Sequence, residues 1–214
     1  MEGYPLNEFI TDLIQAAVLI YLIIMAIRLA SLDRGVLAYK LIAGAFGCYF
    51  MALVFWIPHY YIMQDWLQGI IAASDLGFIG SYCFFISAHF ALSEKQNIEQ
   101  KQKEQQYRFT ALAAPVVTIL FFISYILLEE SIIANILYGT PVAIWSYFSL
   151  RAFLAGKKTP MRPYFGLVLI AILLELLVFE VSFFDDNTPY VILTYTQMVG
   201  WLFILPALRK AVET

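Results

Sequence analysis

Seven stretches of the chain, near residues 9–30, 36–57, 66–92, 109–128, 132–154, 164–184 and 190–208, each run for about twenty residues with almost no charge. A helix rises about 1.5 Å per residue, so each stretch can cross a hydrocarbon layer about 30 Å thick. Helices also satisfy every backbone N–H and C=O inside their own segment, as a water-free environment demands. Pro141 in the fifth stretch and Pro206 near the end of the seventh interrupt neither, because neighbouring helices can re-satisfy a freed carbonyl. The composition, 62% hydrophobic and 14% charged, compares with about a quarter charged in a soluble domain. The apolar excess is surface for lipid, which excludes a soluble enzyme, a nucleic-acid binder and a secreted disulfide scaffold. The 18 Phe, 14 Tyr and 4 Trp exclude a disordered chain. The expectation is an all-α, multi-pass protein of a cell membrane, with residues 1–214 forming one seven-helix bundle.

The charges set an orientation. Arg28, Arg34 and Lys40 surround the first connection, and Lys95, Lys101, Lys103 and Arg108 the third. Arg151, Lys157, Lys158 and Arg162 surround the fifth, and Arg209 and Lys210 follow the last stretch. The N-terminus and the even-numbered connections carry no Lys or Arg, so the positive-inside rule puts the N-terminus outside and the C-terminus in the cytoplasm. The first stretch is too long for a cleavable signal and has no basic region before it; Glu8 and Asp12 mark it instead as a translocated end. Cys48 and Cys83 fall inside stretches, which argues against a disulfide framework.

The connection 93–108 is polar and rich in Gln, Glu and Lys, good helix formers. It reads as a solvated helical link, with a docking site for a cytoplasmic protein partner as the sharper alternative. Seven helices also allow two parallel three-helix repeats about a central helix. An offset of about 122 residues then places Asp75 on Gln197.

Ionisable groups at membrane depth are costly and mark candidate sites. Asp75 lies ten residues inward from Asp65, and Glu175 ten inward from Asp185, which puts both carboxylates about 15 Å deep. No Lys or Arg lies at that depth, so each must be protonated, share a proton or cation, or reach water. Asp75, Tyr82 and His89 repeat every seven residues and form one stripe on the third helix. Gly69, Ala73, Gly77 and Ser81 form a small-residue row on its opposite face, suited to close helix packing. Asn135, Tyr138, Trp145 and Ser149 share a face of the fifth helix, Thr194, Gln197 and Trp201 a face of the seventh, and Ser182 the Glu175 face of the sixth; together these could line an outward-opening cavity. Glu2, Glu8, Asp12, Asp65, Glu129, Glu130, Asp185 and Asp186 make the outer side acidic, a potential that concentrates cations. The run Asp185-Asp186-Asn187 could weakly hold a hard cation.

No nucleophile-elbow, zincin, paired-cysteine or phosphate-loop motif is present, and the seventh stretch has no lysine for a retinal Schiff base. Ser74-Asp75 and the segment ILTYTQ at 192–197 resemble the lysoplasmalogenases, small polytopic membrane hydrolases with intramembrane acids. The chain departs from that family in having seven stretches rather than eight and a glutamate, Glu175, where an aspartate would be required, so no membership follows. The favoured function is a transporter or permease for a small solute or cation, coupled to a proton or monovalent cation through the midplane carboxylates, with no cofactor. The alternative is a seven-helix sensor signalling through a partner, and the third reading is an intramembrane lipid hydrolase.

Overall fold

The computed structural model describes residues 6–32, 37–58, 73–94, 98–127, 132–157, 159–182, 184 and 186–212. Helix is the only regular structure among them: α1 (Leu6–Leu32), α2 (Leu37–Pro58), α3 (Ala73–Glu94), α4 (Ile98–Gln106), a 3₁₀ turn at Thr110–Leu112, α5 (Ala113–Leu127), α6 (Ile132–Ala155), α7 (Met161–Val181) and α8 (Thr188–Val212). Each of the seven apolar stretches holds a helix. Residues 66–72, the start of the expected third helix, lie outside the described residues, as do Asp65 and Gly69.

Among the described residues, six helical stretches are long and apolar enough to cross a membrane: α1, α2, α3, Thr110–Leu127, α7 and α8. The remaining one, α6, has 24 residues, but Asn135, Thr140, Pro141, Ser146 and Ser149 dilute its apolar character. Large apolar side chains such as Ile20, Ile24 and Ile27 on α1, Leu120 and Ile123 on α5, and Val199 and Phe203 on α8 stand exposed. In water such a surface would drive association; in lipid it is the expected exterior.

The helices α1, α2, α3, α6, α7 and α8 each pack on the next, and α8 closes back on α1, so they form a ring. Outside that ring, α5 packs on α6 and α7. The contact between α2 and α3 is the most extensive, and the sequence explains why. A Cβ at Gly77 would come within 2.8 Å of Cys48 O and Ala52 Cβ on α2, so the two backbones approach as closely as glycine permits. Ser81, one turn on, is fully buried. Of the expected small-residue row, Gly77 therefore meets α2, whereas Ala73 is exposed and Gly69 lies outside the described residues.

The polar connection forms α4, which lies against α6. Glu104 Oε2 pairs with Arg151 Nη2 at 3.3 Å, and the Arg151 guanidinium lies 4.9 Å from the Phe148 ring centroid. Lys101, Gln102, Lys103, Gln105 and Gln106 remain exposed.

Gly77→Ala should wedge α2 from α3 and lower stability by roughly 1–3 kcal/mol, read by unfolding in mixed micelles. Gly47→Ala, whose Cβ would meet nothing within 4 Å, should change it by no more than about 0.5 kcal/mol.

Candidate functional site

Glu175 lies on the inner face of α7 and is the acceptor on which several helices converge. Its Oε1 accepts from Tyr82 on α3 at 2.7 Å and from Tyr49 on α2 at 3.2 Å, and the Tyr49 hydroxyl is also 3.2 Å from Oε2. Gln197 on α8 donates through Nε2 to Oε2. Behind it, Gln15 Nε2 on α1 donates to Gln197 Oε1 at 3.3 Å. These bonds set Gln15, Gln197, Tyr82 and Glu175 at a common level. The chain Gln15→Gln197→Glu175 has one direction throughout, with each amide presenting its N–H towards the carboxylate.

Every donor to Glu175 is neutral, and among the described residues no Lys or Arg pairs with it. Taking a carboxylate out of water costs several kcal/mol unless hydrogen bonds or a counter-charge offset the loss. Three donors provide part of that compensation. A proton or a small cation would supply the rest.

Aromatic rings flank this level. Trp145 on α6 stacks on Phe85 at 4.6 Å and an interplanar angle of 10°, and on Tyr82 at 6.2 Å. Trp201 meets Tyr49 edge-on at 4.8 Å, and Phe46 meets Phe85 at 5.5 Å. The structure thus brings Glu175, Tyr82, Gln197 and Trp145 together, four residues singled out on separate helices.

The other candidates lie elsewhere. Asp75, in the first turn of α3, accepts from Tyr138 on α6 at 2.7 Å; the Tyr138 ring lies 6.5 Å from that of Tyr82. His89, two turns beyond Tyr82, is 2% exposed and packs against Phe165 at 5.1 Å and Phe148 at 5.6 Å. Neither of its ring nitrogens has a hydrogen-bond partner among the described residues. Asn135 is buried in the first turn of α6. Ser182 is exposed two turns beyond Glu175 and donates to the Phe179 carbonyl at 2.7 Å. Glu180 accepts from Ser124 on α5 at 2.8 Å.

Two groups at the site, Tyr49 and Gln15, are not among the residues singled out from the sequence. Tyr49 sits in an aromatic-rich stretch where one more tyrosine gives no signal. Gln15 extends a polar face of α1 with Glu8, Thr11 and Asp12, and a signal was present there: four polar residues at helical spacing in an apolar helix. All four are buried, although Glu8 and Asp12 read as outer-surface acids. Of the run Asp185-Asp186-Asn187, Asp185 lies outside the described residues. Asp186 Oδ1 accepts from the Thr188 N–H at 2.9 Å, which satisfies the start of α8 and holds its carboxyl below the usual carboxylate range.

No family model, no curated protein and no solved structure matches the chain.

Glu175→Leu should orphan the Tyr49, Tyr82 and Gln197 donors and lower stability by roughly 1–3 kcal/mol for each that finds no other partner. Glu175→Gln, which the two amides can accommodate by turning over, should cost far less in the same unfolding assay. At the exposed Asp186 cap, the lowered carboxyl value means its stabilisation is complete above the unfolded carboxylate range and fades as pH falls through the folded value. Protection of the Thr188 amide, taken relative to its intrinsic exchange rate at each pH, should therefore fall in acid, and less so in Asp186→Asn.

Proposed function

We propose that the protein is a multi-pass transporter of a small solute in a cell membrane, with Glu175 as the carboxylate that exchanges a proton or monovalent cation during the cycle. The observation that carries the reading is the set of neutral donors from α2, α3 and α8 meeting one inward-facing carboxylate. Such a group changes its charge at little cost to the fold, and its partners sit on helices that can move relative to one another. In this reading α6 is the seventh crossing: its 24 residues span about 36 Å, and it occupies the ring between α3 and α7. The basic residues at alternate connections then put the N-terminus outside. The ring sets α1–α3 and α6–α8 as two arcs with α5 outside, an arrangement that suits two moving halves.

A sensor relaying to a cytoplasmic partner is the second reading, favoured by the part-buried Glu104–Arg151 pair that ties α4 to α6 while leaving Lys101, Gln102, Lys103, Gln105 and Gln106 exposed. The lipid-hydrolase reading gains less support. The Phe85–Trp145 stack lies along α3 and α6 between the levels of Glu175 and His89, and His89 is packed by phenylalanines.

Proteoliposomes on a solid-supported membrane, challenged with pools of small cationic and zwitterionic solutes under a proton or sodium gradient, should give a solute-dependent current. Glu175→Gln should abolish it at nearly unchanged stability, and Asp75→Asn should reduce it. Wild-type vesicles indistinguishable from empty ones, or a Glu175→Gln current equal to wild type, overturn the reading.

A further inference from the structure

Glu8 lies three and four residues before Thr11 and Asp12, and Gln15 four and three after them, so the four share a face of α1. That face is buried, with Asp12 at 0% exposure. Polar side chains hidden in the first half of a membrane helix need a reason. The helix that meets them is α8. Tyr190 donates to Asp12 Oδ1 at 3.0 Å, and Gln197 accepts from Gln15 Nε2 at 3.3 Å. On α8, between these two bonds and one turn from each, lies Thr194. Its side chain is fully buried, and its hydroxyl has no hydrogen-bond partner among the described residues. The Gln15 amide donates through Nε2, so its Oε1 is the atom that bond leaves unused.

We propose that this seam between α1 and α8 is a binding site for a small, hard monovalent cation. Asp12 supplies the charge, and Thr194 Oγ1 and Gln15 Oε1 supply neutral oxygens. The proposal deepens the transport reading, and its coupling role rests on that reading. The chemistry selects the ligand. The offered groups are carboxylate, hydroxyl and amide oxygens, which suit hard cations and not soft metals. Of the two acids on this face only Asp12 lies within a turn of Gln15, and one carboxylate with neutral oxygens balances a single positive charge. A proton relay along the same seam would have to cross two primary amides, each of which passes a proton only through its imidic-acid tautomer.

The same amides connect the seam to Glu175. A cation held on Gln15 Oε1 turns Nε2 towards Gln197, whose carbonyl accepts and whose N–H then faces Glu175. Without the cation both amides are free to turn over and present Glu175 with an oxygen instead. The cation therefore acts on Glu175 through two oriented dipoles, without touching it.

The test uses the full chain in lipid nanodiscs with sodium as the probe, replaced by N-methylglucamine at constant ionic strength. Radiolabelled sodium should bind saturably at one site per chain. Asp12→Asn should abolish binding. Thr194→Val, close in size to the native side chain, should weaken it by about tenfold or more, and Thr194→Ser should restore it. Glu175→Gln, which reverses the amide chain, should weaken binding without abolishing it. No saturable binding by the wild type, or binding by a folded Thr194→Val equal to wild type, overturns the site; unchanged affinity in Glu175→Gln overturns the coupling. Sodium binding that needs Thr194, alongside solute currents indifferent to Glu175→Gln, would leave this site standing while the transport reading fell. The reverse pattern would remove the site alone.

Discussion

A carboxylate withdrawn from water inside a helical bundle has to be met by donors, and the demands of Glu175 organise much of what surrounds it. Helices α2, α3 and α8 each bring one donor to it, and α1 stands behind α8 with a second amide in line. The sixth member of the ring, α6, contributes no donor to the carboxylate and instead lays Trp145 against the ring of the donor Tyr82. Of the seven long apolar helices, α5 stays outside, held to α7 by the Tyr125 hydroxyl on the Leu176 carbonyl at 2.6 Å and by Ser124 on Glu180. The donors come from helices distant in the chain, so the network forms only when the ring closes. Until then each donor and the carboxylate face an unfavourable environment separately.

Along the helices the interior is layered. The first half of α1 and the matching part of α8 carry acids, hydroxyls and amides. Next comes the level of Gln15, Tyr82 and Gln197 around Glu175. A turn further, Phe85, Trp145 and Trp201 form an apolar aromatic level, and beyond it lie His89 and the Glu104–Arg151 pair. A polar approach on one side of a carboxylate and an aromatic barrier on the other are what an asymmetric access path requires. That asymmetry agrees with the transport reading better than a uniformly polar channel would.

How much of this was legible depended on the contrast each residue makes with its own stretch. Glu175 was legible because a charge in a long apolar run has no bland explanation at that depth. Tyr82, Gln197 and Trp145 could be placed on faces from their spacing, though nothing along the chain pointed them at one another. Tyr49 was silent, because a tyrosine among many aromatics has no contrast. Glu8 and Asp12 were misread for the opposite reason: acids near the beginning of a span are ordinary as surface groups, and only the packing of α8 over them makes them buried. Ser182 shared the Glu175 face by periodicity, but its helix ends there and its hydroxyl turns back to the Phe179 carbonyl.

From the sequence alone came the class of the protein, the positions of its helices and the two carboxylates, Asp75 and Glu175, in need of an explanation, because apolar length and isolated charge are local properties. The tertiary structure decided which helices form the ring, that α5 lies outside it, and which polar faces meet. Periodicity fixes the face on which a residue sits, but not the rotation of its helix or the identity of its neighbour. Those follow from close contacts such as Gly77 against Cys48 and Ala52, and from the ordering of helices that brings Gln15 beside a residue 182 positions away.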